Sequence, residues 1–286
     1  MGHVEDEITP FLKARRAALD PAELGLPSGV TRRRVNGLRR EEVAQLAGIS
    51  VDYYTRIEQG RAAAISDAIL DAIARALRLT EHEHTYLRNI TAPGRRTAAG
   101  ACAPAARPTV RPQIQELLDS MGDAVPAMVV GPGTDILAWN RICKSVYAMD
   151  FDDMPEDELN GARMVFLSPH ARDIYLDWEH IAEDTVAALR ADVGRYPEHG
   201  RAYRVMCELR DASPVFRRLW ENQDVSDRYQ GVKRISHPQV GELVLSFEAF
   251  DLPTDPGQRL CTYTAPTGSE TEAKLRELAT RITATV

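Results

Sequence analysis

Arg40-Glu-Glu-Val-Ala-Gln-Leu-Ala-Gly-Ile-Ser-Val-Asp-Tyr-Tyr-Thr-Arg-Ile-Glu-Gln-Gly60 is the stretch on which the reading of this chain turns. Two short helices that cross steeply through a three- to four-residue turn need a small side chain where they touch and a residue tolerant of positive φ at the bend. Ala44 and Gly48 supply these. In that register Val43, Ala47, Ile49, Tyr54 and Ile57 fall on the faces turned to a core, and Val51, Asp52, Tyr53, Thr55 and Arg56 face outward from the second helix. The first turns of such a helix meet base edges in a major groove. Arg56 suits bidentate pairing with guanine, and Tyr53 or Val51 suits the thymine methyl. Asp52 must accept from cytosine or steady Arg56, because a carboxylate near phosphates is otherwise repelled. A solvated helix face is the alternative reading of the same five residues.

Around this segment, Arg39, Arg40, Ser50 and Arg61 sit at helix ends, where charge and oriented amides hold phosphate without reading sequence. The loop run Arg32-Arg33-Arg34 is a further candidate phosphate contact, against the alternative of three solvated arginines. Apolar stripes at helical spacing extend through the first hundred residues: Ile8, Phe11, Leu12 and Leu19; Val43, Leu46 and Ala47; Ile69, Leu70, Ile73 and Leu77; Tyr86, Leu87 and Ile90. Caps punctuate them, with Thr9-Pro10 near the first helix start, Ser50 before Val51, Ser66 before Asp67, and a Thr80/Glu83 capping box. The expectation is an all-α bundle of five helices over 1–92.

TAPGRRTAAGACAPAARPTVRP then follows, rich in Ala, Pro, Gly and Arg and without apolar periodicity, which marks 93–111 as a linker. From 112 to 286 the pattern changes. A helix over Gln113–Met121 precedes two apolar runs, Ala127–Val130 and Thr134–Trp139, joined by Gly131-Pro-Gly133 as a hairpin. Helices are expected over Arg141–Ala148, His180–Asp192, Ala202–Arg210 and Val215–Asn222, then strands over Val232–His237, Glu242–Phe250 and Arg259–Thr264. This order predicts an α+β domain, an antiparallel sheet of about five strands with helices on one side.

The 286 residues leave room for about two domains. The net charge of −7 argues against a nucleic-acid partner for the whole chain, but it is unevenly spread. Residues 1–100 carry 15 Lys and Arg against 13 Asp and Glu, a balance of +2, so the remainder carries −9. Such asymmetry suits a protein of which only one part meets an anionic polymer. No apolar run approaches the length of a membrane helix and the start is acidic where a secretory signal is basic, so the expected location is the cytoplasm and no membrane partner is expected. Cys102, Cys143, Cys207 and Cys261 are too far apart for a metal set or a dense disulfide framework and read as reduced thiols.

The segment from Arg40 to Gly60, closing on Arg56-Ile57-Glu58-Gln59-Gly60, resembles the Xre/Cro helix-turn-helix repressors and implies a lambda-repressor-like domain. Arg40 stands where that family often has Gln, and Tyr54 where it commonly has Ile or Val. The insertion from Pro21 to Asn36, the phrase Gly37-Leu-Arg-Arg-Glu-Glu-Val-Ala and Asp52-Tyr-Tyr-Thr-Arg narrow the resemblance to MmyB-like transcription regulators. Phe166-Leu-Ser-Pro-His-Ala-Arg-Asp-Ile-Tyr-Leu-Asp-Trp178, Ser213-Pro-Val-Phe-Arg-Arg-Leu-Trp220 and His237-Pro-Gln-Val-Gly-Glu-Leu carry it into the second half. The resemblance implies a PAS-like C-terminal domain with a hydrophobic, fatty-acid-like effector, no cofactor, and a homodimer on a pseudo-palindromic double-stranded DNA operator.

Trp139, Phe166, Tyr175, Trp178 and Trp220 are the candidate cavity walls, with His170 or Arg172 as anchors for an acidic head group. An ordinary filled core is the competing reading, which would make this domain a protein-interaction module. An enzyme fused to a DNA-binding domain is the third reading. Against it, the sequence lacks the Gly-x-Ser-x-Gly, Gly-x-Gly-x-x-Gly, Gly-Lys-Ser and His-Glu-x-x-His arrangements, and no catalytic or metal residue is assigned.

Overall fold

The computed structural model describes residues 3–24, 37–62, 64–92, 107–195, 200–226 and 229–284. The chain divides into two compact units, Met1–Ala103 with Trp220–Ser226 and Pro104–Leu219 with Asp227–Val286. Of the expected linker, 93–106 lies outside the described residues, while Arg107 donates to the Glu156 carbonyl and Arg111 pairs with Asp255, both within the second unit.

The N-terminal unit is helical, as its stripes predict: α1 (His3–Ala18), α2 (Arg40–Ala47), α3 (Val51–Glu58), α4 (Asp67–Ala76) and α5 (Glu81–Thr91), with a 3₁₀ turn over Pro21–Leu24. Ile8, Phe11, Leu12, Val43, Tyr54, Ile57, Leu70, Ile73, Leu77, Tyr86, Leu87 and Ile90 are buried together, and Phe11 meets Tyr86 edge-on at 5.0 Å. Thr80 and Glu83 form the expected capping box, with Thr80 N–H to Glu83 Oε2 at 2.8 Å and Glu83 N–H to Thr80 Oγ1 at 3.3 Å.

Three local expectations are corrected. Thr9-Pro10 does not start α1; the helix begins at His3 and carries Pro10 inside it, where burial of Ile8, Phe11 and Leu12 outweighs one lost backbone bond. Ser66 stands at the N-cap of α4, yet its side chain makes no capping bond. Leu46 is 39% exposed, because α2 buries Val43 and Ala44 instead. Upstream of α2, Gly37 lies at φ +91°, and a Cβ there would stand 2.5 Å from the Arg16 carbonyl oxygen that accepts from Leu38 N–H. Only glycine fits that approach.

From residue 107 onward the chain runs α6 (Pro112–Ser120), β1 (Ala127–Val130), β2 (Ile136–Trp139), α7 (Arg141–Tyr147), α8 (Gly161–Leu167), α9 (Ala171–Ile174), α10 (Trp178–Arg195), α11 (Arg201–Ala212), α12 (Pro214–Glu221), β3 (Gln230–His237), β4 (Gly241–Asp251), β5 (Arg259–Thr264) and α13 (Glu270–Ala284). The five strands form one antiparallel sheet in the order β2-β1-β5-β4-β3. This bears out the α+β, PAS-like expectation. α8, α9 and α13 were not expected.

Strand alternation sorts the two faces. On β4, Leu243, Leu245, Phe247 and Ala249 are buried and the residues between them exposed. Their face carries the main core, with Met128, Ile142, Val146, Tyr147, Phe151, Trp178, Ile181, Tyr263 and Leu278. The expectation of helices on one side only is corrected at the other end of the sheet. Ala127, Val129, Ala138 and Leu260 face the opposite way and are covered by Leu118 and Ile114 of α6, so β1 is buried on both sides.

Candidate functional site

The bend between α2 and α3 is built as the sequence requires. Gly48 ends α2 in the left-handed region, φ 68° and ψ 31°, and Ile49 N–H donates to the Ala44 carbonyl at 3.0 Å. Ser50 caps α3, its hydroxyl accepting from Tyr53 N–H at 3.1 Å. Tyr54 and Ile57 are then fully buried, and Val51 (46% exposed), Asp52 and Arg56 lie open to solvent. Tyr53 and Thr55 are half-buried, and the Tyr53 hydroxyl donates to the Ala64 carbonyl at 3.4 Å.

α3 is fixed at its far end by Glu58, a fully buried carboxylate. Arg16 Nε reaches its Oε2 at 3.2 Å, and Arg40 reaches its Oε1 with Nη2 at 2.8 Å and Nε at 2.9 Å. Two guanidiniums from α1 and α2 thus hold one carboxylate from α3, the geometry that makes a buried charge tolerable. Burial, and after it the Glu58 charge, pushes the Tyr54 phenol far above its ordinary value, so it is neutral. The structure therefore gives Arg40 a bonded partner inside the fold as well as a half-exposed position at the start of α2. Arg39 lies next to it, 3.9 Å from Glu41, and Arg61 is exposed just after α3. Arg32, Arg33 and Arg34 lie outside the described residues.

In the second unit, the residues singled out as cavity walls do not converge. A cavity of about 140 Å³ lies between the sheet and the helices, and of the seven candidates Tyr175 alone lines it. Trp178 is buried in the core with Nε1–H donating to the Val165 carbonyl, and Phe166 packs edge-on against Trp178 and Phe216. His170 is exposed beside Asp173, and Arg172 stacks 3.7 Å over the Trp178 ring while pairing with Glu179. Neither anchor reaches the cavity, because both stand on the exposed side of the short α9. Trp139 lines a separate open groove of about 830 Å³, its Nε1–H on Asp152, and Trp220, in the last turn of α12, is among the lining residues of neither. In that groove Lys144 already pairs with Asp150 and Asp152.

Apart from Tyr175, the residues that meet at the cavity were missed by the sequence reading. Lys233 of β3 enters among Tyr147, Phe247 and Tyr263, its Nζ 5.3 Å from the Phe247 ring centroid and 5.1 Å from that of Tyr263. It donates to the Tyr147 hydroxyl at 3.3 Å and the Tyr263 hydroxyl at 3.2 Å, and the two hydroxyls lie 3.1 Å apart. Burial pushes both phenols well above their ordinary value. Arg259 also lines the cavity, held by Asp192 at 3.1 Å and Asp251 at 3.3 Å. Alternation along β3 from Ile235, which the structure buries, puts position 233 on the inner face.

Cys143, Cys207 and Cys261 are free, and burial raises the Cys143 and Cys261 thiols; Cys102 lies outside the described residues. Among the described residues no helix is long and apolar enough to cross a membrane, and no group of three or more His, Cys, Asp or Glu could hold a metal ion.

Two family models match the chain. Residues 11–87 match a helix-turn-helix domain, and residues 110–278 match the MmyB-like transcription regulator ligand binding domain. No curated protein matches it.

Proposed function

The chain belongs to the MmyB-like transcription regulators, and from that premise we propose that its DNA binding is controlled by a small hydrophobic, fatty-acid-like effector held in the cavity of the second unit. That it is a DNA-binding transcription regulator with a ligand-binding domain follows from the two matched families. The finer reading rests on the α3 surface. Val51, Asp52, Tyr53, Thr55 and Arg56 read base edges, and Arg39, Arg40, Ser50 and Arg61, together with Arg32, Arg33 and Arg34, hold phosphates.

One such helix covers few base pairs, so the protein acts as a homodimer on a pseudo-palindrome with half-sites about 34 Å apart or a multiple of it. The effector changes the separation of the recognition helices by favouring one arrangement of the second domains. The cavity favours an effector over a filled interaction module, and the family matches favour a regulator over an enzyme. The protein works in the cytoplasm, where its DNA partner is.

The single observation carrying the DNA reading is the exposed Val51, Asp52 and Arg56 face that follows the left-handed Gly48 bend. Fluorescence-anisotropy titration of the protein's own promoter DNA tests it. Arg56→Ala should weaken specific binding about ten- to a hundredfold, and Arg61→Ala should weaken all sequences alike and lower the salt slope by about one. Affinity indifferent to salt, or unchanged in the variant carrying both Arg56→Ala and Arg61→Ala, rejects the proposal.

A further inference from the structure

The cavity in the second unit carries more information than its apolar walls. Its volume is about 140 Å³. An apolar protein cavity of about 150 Å³ holds benzene, so the space fits a compact ring or a short alkyl chain. A fourteen-carbon chain requires several times that volume. Within a largely aromatic and aliphatic lining that also includes Thr134, Thr185, Cys261 and Arg259, three donor groups converge at one place: the Lys233 ammonium and the Tyr147 and Tyr263 hydroxyls, all within 3.3 Å of one another.

A carboxylate accepts several such bonds at once, and charge-assisted bonds of this kind are about twice as strong as neutral ones. The two phenols are kept protonated by burial, which preserves them as donors at neutral pH. The other cation at the wall, Arg259, is already bonded to Asp192 and Asp251, which neutralises that end of the cavity. The polar end and the ring-lined end therefore belong to one amphiphile.

We propose that the effector is a compact monocarboxylic acid of benzoate or hexanoate size, its carboxylate anchored by Lys233, Tyr147 and Tyr263, and not a long-chain fatty acid. The proposal rests on the reading of this cavity as the effector site, and it replaces the fatty-acid-like class with a size and a head group.

Isothermal titration calorimetry of the full chain with benzoate, hexanoate, hexan-1-ol and tetradecanoate tests it. Benzoate and hexanoate should bind at least tenfold more tightly than hexan-1-ol, and tetradecanoate more weakly than hexanoate. Lys233→Met should abolish the preference for acid over alcohol while hexan-1-ol still binds. The double variant Tyr147→Phe with Tyr263→Phe should weaken hexanoate several-fold and leave the alcohol unchanged, which keeps the anchor testable if Lys233→Met does not fold. Hexan-1-ol binding as well as hexanoate, or an acid preference that survives Lys233→Met, overturns the anchor. Tetradecanoate binding more tightly than hexanoate overturns the size limit. If none of the four binds, the effector reading itself falls, whereas the DNA titrations on Arg56→Ala stand or fall separately.

Discussion

Glu58 in the N-terminal unit and Lys233 in the C-terminal unit are both charged groups turned into the protein, but they are met in opposite ways. Glu58 is fully buried and gripped by two guanidiniums from two other helices. Lys233 borders a cavity, and its bonds there go to phenols and its contacts to ring faces. A charge answered by opposite charge closes a structure. Lys233 instead hydrogen-bonds two neutral phenols at the wall of a cavity. The first arrangement serves the fold; for the second, the proposed carboxylate anchor predicts a stability cost accepted in exchange for recognition.

That contrast can be broken most directly at Glu58. Glu58→Ala strands two arginines that lost their shared carboxylate, and should cost about 3 kcal/mol, the low end for a broken buried pair because Arg40 is partly exposed. A urea unfolding curve of the full chain reads this as an earlier first transition, and an unmoved midpoint contradicts it. Next in size, Tyr147→Phe removes one member of the Lys233 triangle and should cost about 1 kcal/mol, seen in the thermal unfolding of the second unit.

A smaller, pH-dependent term comes from His237. It is buried, its Nε2 bonded to the Ser145 carbonyl and its Nδ1 accepting from Gln239 and Val240 N–H. Burial lowers its pKa. As the pH falls, the unfolded chain takes up this proton before the folded one, so stability is complete above the ordinary histidine value and declines below it, toward the lowered native value. Thermal midpoints at pH 7.5 and 5.5 should fall less far apart in His237→Gln than in the parent; an equal fall contradicts the assignment. The smallest effect is expected at Lys233 itself. Lys233→Met should leave the stability of the second unit within about 0.5 kcal/mol or raise it, by the same unfolding measurement, because an apolar isostere suits that wall. A loss of several kcal/mol would make Lys233 a second Glu58 and erase the contrast.

The N-terminal fold was legible because its determinants are local. Ala44, Gly48 and the stripe through Tyr54 and Ile57 dictate one bend within a dozen residues, and the structure repeats them. The strands were equally readable, with β5 found at its observed limits and β3 and β4 within two residues. α8 and α9 escaped because a helix of four or seven residues shows too little periodicity, and α13 because Glu270, Glu272, Lys274, Arg276 and Glu277 mask the Leu275 and Leu278 positions. The cavity was the least legible. Aromatic residues mark apolar mass without marking where a gap is left in it, so Trp178 and Phe166 turned out to fill the core. Lys233 stands between Val232 and Arg234, which are exposed, and reads as solvated until the β3–β4 register sets it opposite Leu245.

Glu58 has a last implication for how this regulator can change. Because α3 is capped at Ser50, buried at Tyr54 and Ile57, and moored at Glu58, its solvent-facing positions Val51, Asp52 and Arg56 carry little of the folding duty. Preference for one operator over another can thus drift, or be exchanged like a cassette, without the scaffold being renegotiated.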